Sequence, residues 1–156
     1  MSIDETGYAE REKWESAIGK CFLSFGEVEY LIHHLHQFIS HDDAPRFISS
    51  LALSKRIELV SELLNQYKFK ELDFRLIKND LEYTKKLSEM RNLIAHNPLM
   101  LEFYTGEHGE TKIVQAIVSI KNASHKITLS ELDIFSKDAQ SLVDRLQKST
   151  RETMEV

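Results

Sequence analysis

The longest repeating pattern in the chain runs from about Tyr8 to Ile39. Its apolar positions are Trp14, Ile18, Cys21, Phe25, Val28, Ile32, Leu35 and Ile39. Steps of four and three alternate along it, which is the spacing of one face of an amphipathic helix. Ala17, Phe22, Leu31 and Phe38 widen the stripe. The pattern predicts one long helix, or two that meet near Gly26. A stripe of this length and step also suits packing against a second copy of the same helix.

Asp and Pro in His41-Asp42-Asp43-Ala44-Pro45 favour a turn and end the pattern. Arg46 to Leu53 reads as an apolar connector or a short helix. Ser54 has the chemistry of an N-cap, and Ile57, Val60, Leu64 and Tyr67 predict a second helix over about 55–67. A third helix is predicted over 71–96. Leu76, Tyr83, Leu87, Met90 and Ile94 form its buried stripe, supported by Leu72, Ile77 and Leu81. Asp80 interrupts this stripe, so it either meets a partner or lies at the edge. Pro98 disfavours the α conformation at Asn97, which places His96 in the last turn.

The period then changes. Residues 100–105 and 112–120 are rich in β-branched and aromatic side chains, and Gly106-Glu107-His108-Gly109-Glu110 lies between them. This predicts a two-stranded hairpin at about 100–120, which must pack on the helices because an isolated pair of strands is marginal. Thr128-Leu129-Ser130-Glu131 has the spacing of a capping box. Leu132, Phe135, Ala139, Leu142, Val143 and Leu146 carry a final helix over about 129–149. Residues 1–7 and 150–156 are expected to be a loose lead-in and a frayed end. The fold class that follows is mostly α, a four-to-five-helix up-and-down bundle with a β-hairpin before the last helix. Residues 1–156 form one domain.

Composition narrows this only a little. The chain has 156 residues, 42% of them hydrophobic and 29% charged, as in ordinary globular domains. No apolar run approaches the roughly 20 residues needed to span a bilayer. The start of the chain lacks a secretory signal, and Cys21 is the single cysteine, so a cytoplasmic protein without disulfides is expected. The net charge of −5 opposes general nucleic-acid binding. Charge is uneven, however. Residues 1–67 hold 11 acids and 6 bases, whereas residues 68–91 hold 5 acids and 7 bases. The one basic stretch leads into Arg91, and it suits a small phosphate site or a solvated helix face.

Candidate chemistry is sparse. His33, His34, His36 and His41 crowd the end of the first helix, but no familiar metal-ligand spacing appears among them. The expectation is therefore no metal and no cofactor. Glu27 and Glu29 are two apart and project from different faces, so they do not form an acid/base pair. Glu29 lies beside the apolar stripe and is placed to line a cleft between the first and third helices. Arg91 and His96 are separated by about 140° and 7.5 Å on a helix, so they do not stack, yet both reach a shared groove from its two sides. Arginine offers a planar donor fork to phosphate, and an imidazole can act as general base or acid. With a neutral amide such as Asn92, these groups suffice for metal-free cleavage of RNA, whose own 2′-hydroxyl is the nucleophile. The plainer alternative makes Arg91 a surface arginine and His96 a helix cap.

Arg91-Asn92-Leu93-Ile94-Ala95-His96 closely resembles the R-x4-6-H signature of the HEPN superfamily, in which a polar residue follows the arginine. Phe25-Gly26-Glu27-Val28-Glu29-Tyr30-Leu31 and Ser54-Lys55-Arg56-Ile57 are similar to phrases of its bacterial members. The resemblance implies a helical bundle that dimerises so that two motifs face one cleft. It implies a metal-independent endoribonuclease with Arg91 and His96 catalytic and Asn92 in support. Toxin–antitoxin and phage-defence roles are implied too, with RNA or a nucleotide as ligand and an antitoxin protein as a partner. Some toxin members have tyrosine two places after the histidine, where this chain has Pro98. Other members are non-catalytic RNA-binding, nucleotide-binding or dimerisation modules, which is the alternative reading.

Overall fold

The computed structural model describes residues 3–40, 48–66 and 71–154. Among them are four helices, α1 (Ile3–Ser40), α2 (Leu53–Gln66), α3 (Glu71–His96) and α4 (Leu129–Met154). Strands β1 (Leu99–Thr105), β2 (Thr111–Val118) and β3 (Lys126–Ile127) lie between α3 and α4. The mostly helical bundle with a hairpin before its last helix is what the periodicity requires. The turn at His41–Pro45, with Arg46, and the positions of Tyr67, Lys68 and Lys70, fall outside the described residues, as does the side chain of Leu72.

α1 is continuous through Gly26 and buries Trp14, Cys21, Phe25, Val28, Ile32, Leu35 and Ile39. The stripe is consumed within the chain. Phe25 meets Phe135 of α4 with ring centroids 6.0 Å apart, and the Cys21 thiol donates to the Leu132 carbonyl at 3.2 Å. The stripe therefore cannot also pair with a second copy, which corrects the coiled-coil expectation. Phe22, expected to widen it, is 36% exposed and turns toward α3. Burial pushes the Cys21 thiol up to about 11, as expected of a small buried apolar residue.

α4 begins with the capping box. The Thr128 amide donates to Glu131 Oε2 at 2.7 Å, and the Glu131 amide returns a longer bond of 3.4 Å to Thr128 Oγ1. Its six predicted core residues are all buried. α2, α3 and α4 alternate in direction, with Lys78 on Asn65, Tyr83 on Asp138 and Asp80 on Arg145. Asp80 is thus buried and partnered, its Oδ1 accepting from Arg145 Nε at 2.8 Å. Ile77, Leu81, Leu87 and Ile94 fill the α3 stripe, while Leu76 points outward. The stripe is shifted because Asp80 and Thr84 occupy the buried face.

Element ends differ from expectation. α1 starts at Ile3 and α4 continues to Met154, because an existing helix gains one bond per added residue even where the sequence is polar. Ser54 is inside α2, not its cap. The Ala52 carbonyl accepts from the Lys55 and Arg56 amides, so Ala52 takes the cap position and the helix opens two residues earlier.

The hairpin is in the predicted place, with β1 and β2 antiparallel and Leu99 opposite Ile117. Gly109 closes its loop at φ +80°, a conformation that glycine adopts without strain. The third strand carries no period and was not expected. Lys126 on it reaches Glu102 Oε2 at 2.6 Å and Tyr104 Oη at 2.9 Å, and this holds the Glu102 carboxyl below the usual carboxylate range. Only the base of the sheet packs on helices. Ile117 and Ile127 enter the core and Trp14 Nε1 donates to Gln115 Oε1 at 2.8 Å. Further out, Leu101, Phe103 and Ile113 remain exposed, so the hairpin does not pack along its full length.

Phe135→Ala is expected to cost about 3–5 kcal/mol, whereas Ile134→Ala, one residue away and exposed, should change stability by less than about 0.5 kcal/mol. Urea denaturation of the two variants checks this. The raised thiol value adds a pH dependence. Keeping Cys21 neutral stabilises the fold below the ordinary thiol range, and that contribution is lost as pH rises through about 11. Cys21 should resist alkylation at pH 9 when folded and react on unfolding.

Candidate functional site

α3 carries Arg91, Asn92 and His96 in its last turns, and Asn97 sets where those turns end. The Asn97 side-chain amide donates to the Leu93 carbonyl at 2.8 Å. Its Oδ1 accepts from the Ile120 amide at 2.8 Å, which ties the helix end to the sheet. The capping work expected of His96 is done by its neighbour. His96 is exposed and makes no hydrogen bond or ion pair with the described residues.

Arg91 is not a plain surface arginine. Its Nη2 is 3.6 Å from Glu29 Oε1 on α1, and its guanidinium carbon lies 5.8 Å from the Phe22 ring centroid. Its Nη1 donates to Asn92 Oδ1 at 3.1 Å. Asn92 therefore bonds to Arg91 and not to His96. Asn92 and His96 are four residues apart, so they share a helix face and keep the three motif residues close along α3.

Glu29 does line the cleft between α1 and α3. Its other oxygen accepts from Arg56 Nη2 of α2 at 3.1 Å. One carboxylate thus spans two guanidiniums, and the three side chains carry a formal charge of +1. Arg56 is the most buried of them, with 14% of its side chain exposed. Its Nε is buried and has no hydrogen-bond partner. The surrounding cavity holds about 250 Å³ and is lined by Phe25, Leu51 to Ser54, and Ser88 as well as the charged residues and Asn92. His96 is not among its lining residues.

Arg56 and Ser88 were missed as site residues. Arg56 precedes Ile57 on the inner side of a short helix, and an arginine there signals a partner inside the bundle. The partner is Glu29, 27 positions away, and nothing in the local pattern of α2 points to it. Among the described residues, the crowded histidines do not converge. His34 pairs with the Tyr30 hydroxyl at 2.7 Å, whereas His36 is buried, and His41 lies outside the described residues. No group of three His, Cys, Asp or Glu side chains among the described residues is arranged to hold a metal. No described helix is long and apolar enough to cross a membrane.

A second stripe lies on the outer face of α1. Gly19, Leu23, Gly26 and Tyr30 fall on one side of the helix, roughly opposite the buried stripe at about 100° per residue, with Phe22 on the edge toward α3. Leu23 is 74% exposed, and a Cβ added at either glycine would meet nothing within 4 Å. Phe22 joins this stripe to Arg91. Compared with models of known protein families, with curated proteins and with solved structures, the chain matches none.

His96→Ala should change folding stability by less than about 0.5 kcal/mol, because the ring is exposed and unbonded. Asn97→Ala removes two hydrogen bonds and should cost about 1–3 kcal/mol. Equal destabilisation by the two changes would show that His96 does hold the helix end.

Proposed function

We propose that the chain is a metal-independent endoribonuclease of HEPN type that acts as a homodimer. The observation that carries this reading is the division of labour at the end of α3. Asn97 holds the helix end, which leaves the His96 imidazole in solvent, while Arg91, five residues earlier on the same helix, holds its guanidinium at a cleft. Arg91 would hold the scissile phosphate and the charge that develops on it. Asn92 would fix the Arg91 fork, the role its hydrogen bond supports.

The chemistry closes without a protein nucleophile. The 2′-hydroxyl of RNA attacks the adjacent phosphorus, the bond to the 5′-oxygen breaks, and a 2′,3′-cyclic phosphate and a free 5′-hydroxyl result. One imidazole takes the 2′ proton, and another group must protonate the leaving oxygen. A single chain offers one histidine at this helix end, whereas two copies offer two. The outer stripe of α1 supports an assembly in which two α3 ends share a cleft. The motif resemblance supports RNA as the substrate, a toxin or phage-defence role in the cytoplasm, and a neutralising antitoxin protein as a further partner.

A second reading keeps the cleft as a non-catalytic phosphate- or RNA-binding site. The position of His96 outside the cavity of one chain favours it. Binding that saturates and weakens with salt, without any product, would establish that reading in place of the first.

Incubation of a mixed RNA pool with chelator present is expected to give cyclic-phosphate ends. His96→Ala should slow cleavage about 10²–10⁴-fold and Arg91→Ala about 10²–10³-fold. Leu23→Glu should give a folded monomer without activity, as sedimentation and circular dichroism will report. Equal cleavage by all variants, or none by the wild type at any protein concentration, rules the nuclease out.

A further inference from the structure

We propose that a phosphate group enters the cavity by taking the place of the Glu29 carboxylate on Arg56 and Arg91. On this inference Arg56 and the start of α2 complete an anion site, and Glu29 is its built-in competitor. It rests on the reading that Arg91 meets phosphate, but it does not require cleavage.

Four observations on the cavity converge. First, its two arginines are held by a single carboxylate, so one positive charge is left over. Secondly, the bond from Arg56 to Glu29 uses only Nη2, and the buried Arg56 Nε–H points to no acceptor. A guanidinium offers parallel donors, and a phosphate accepts from two of them at once. A carboxylate tethered to α1 reaches only one donor on Arg56 and stands 3.6 Å from Arg91. Neither contact is as short as the 2.7–2.9 Å of strong charge-assisted bonds. Thirdly, Leu53 and Ser54, the first helical residues of α2, line the cavity. Amides in a first helical turn have no acceptor inside the helix, and that end favours an anion. Fourthly, there is room. The volume of about 250 Å³ corresponds to several waters at about 30 Å³ each, which is ample for a tetrahedral oxyanion.

Glu29 has a second consequence. Without an anion, two neighbouring guanidiniums would repel each other in a partly buried cleft. The carboxylate stabilises the empty site and must withdraw when phosphate arrives. An anion whose oxygens accept from three or more donors would displace it, whereas a spherical ion without directed acceptors would not. The ligand class is therefore a phosphomonoester or phosphodiester, not chloride.

The test is titration of the full chain with inorganic phosphate by calorimetry at constant ionic strength. Glu29→Gln keeps the side-chain shape but removes the competing charge. It should bind phosphate about tenfold or more tightly than the wild type, the size of one charge-assisted bond. Adding Arg56→Gln to that variant should abolish the gain. If Glu29→Gln fails to fold by circular dichroism, Glu29→Asp takes its place. Its shorter arm withdraws the carboxylate and should also tighten binding. Phosphate affinity unchanged or weaker in the folded variant, or a gain that survives Arg56→Gln, overturns the proposal. RNA cleavage measured on the same samples separates the two readings. Tight phosphate binding without cleavage leaves this inference standing and removes the nuclease, and cleavage without the Glu29 effect does the reverse.

Discussion

The contact on which the rest of this protein depends is the apolar seam between α1 and α4. A helix of 38 residues gains little by itself in water, since most helical stability in proteins comes from burying one face. Here that face is laid on α4 around Phe25, Phe135, Cys21 and Leu132. The capping box at Thr128 and Glu131 starts α4 at the right residue, so its buried positions fall in phase with those of α1. With that seam fixed, α2 and α3 close the core from the other side through Ile57, Val60, Leu64, Ile77 and Leu81.

The seam also decides what α1 can do elsewhere. By turning one stripe inward, it places Glu29 on the flank that faces α2 and α3, where it meets Arg56 and Arg91. It leaves Gly19, Leu23, Gly26 and Tyr30 facing away from the core. The candidate site and the exposed stripe are thus two consequences of one rotation of the helix. A rotation of about 100°, equivalent to a slip of one residue, would remove both.

The hairpin plays a different part. Its base is anchored by Trp14, Ile117 and Ile127, and the double role of Asn97 joins that base to α3. His96 is consequently the last helical residue before a fixed point. Its exposure follows from where the sheet begins and not from looseness of the helix end. Apolar side chains on the outer part of β1 and β2 contribute nothing to the core.

Much of the fold was legible in the sequence. Periods of 3.6 and 2 residues are local properties, and so are the capping box, the stop imposed by Pro98 and the glycine loop of the hairpin. They determined the helices, the hairpin and the core of α4, with helix ends displaced by up to about five residues. The Arg91–His96 motif was legible for the same reason, since its members share one helix. What tertiary structure alone decided lies between elements. It assigned the α1 stripe to α4 in place of a second copy, and it turned Leu76 outward so that Asp80 could meet Arg145. It moved the capping role from His96 to Asn97 and gave Arg91 the partner Glu29, 62 positions away by subtraction of their numbers. Local pattern records which side of an element is apolar, because burial acts on each residue in turn. Which charged groups share a cleft depends on how helices are rotated against one another, and no single segment contains that information.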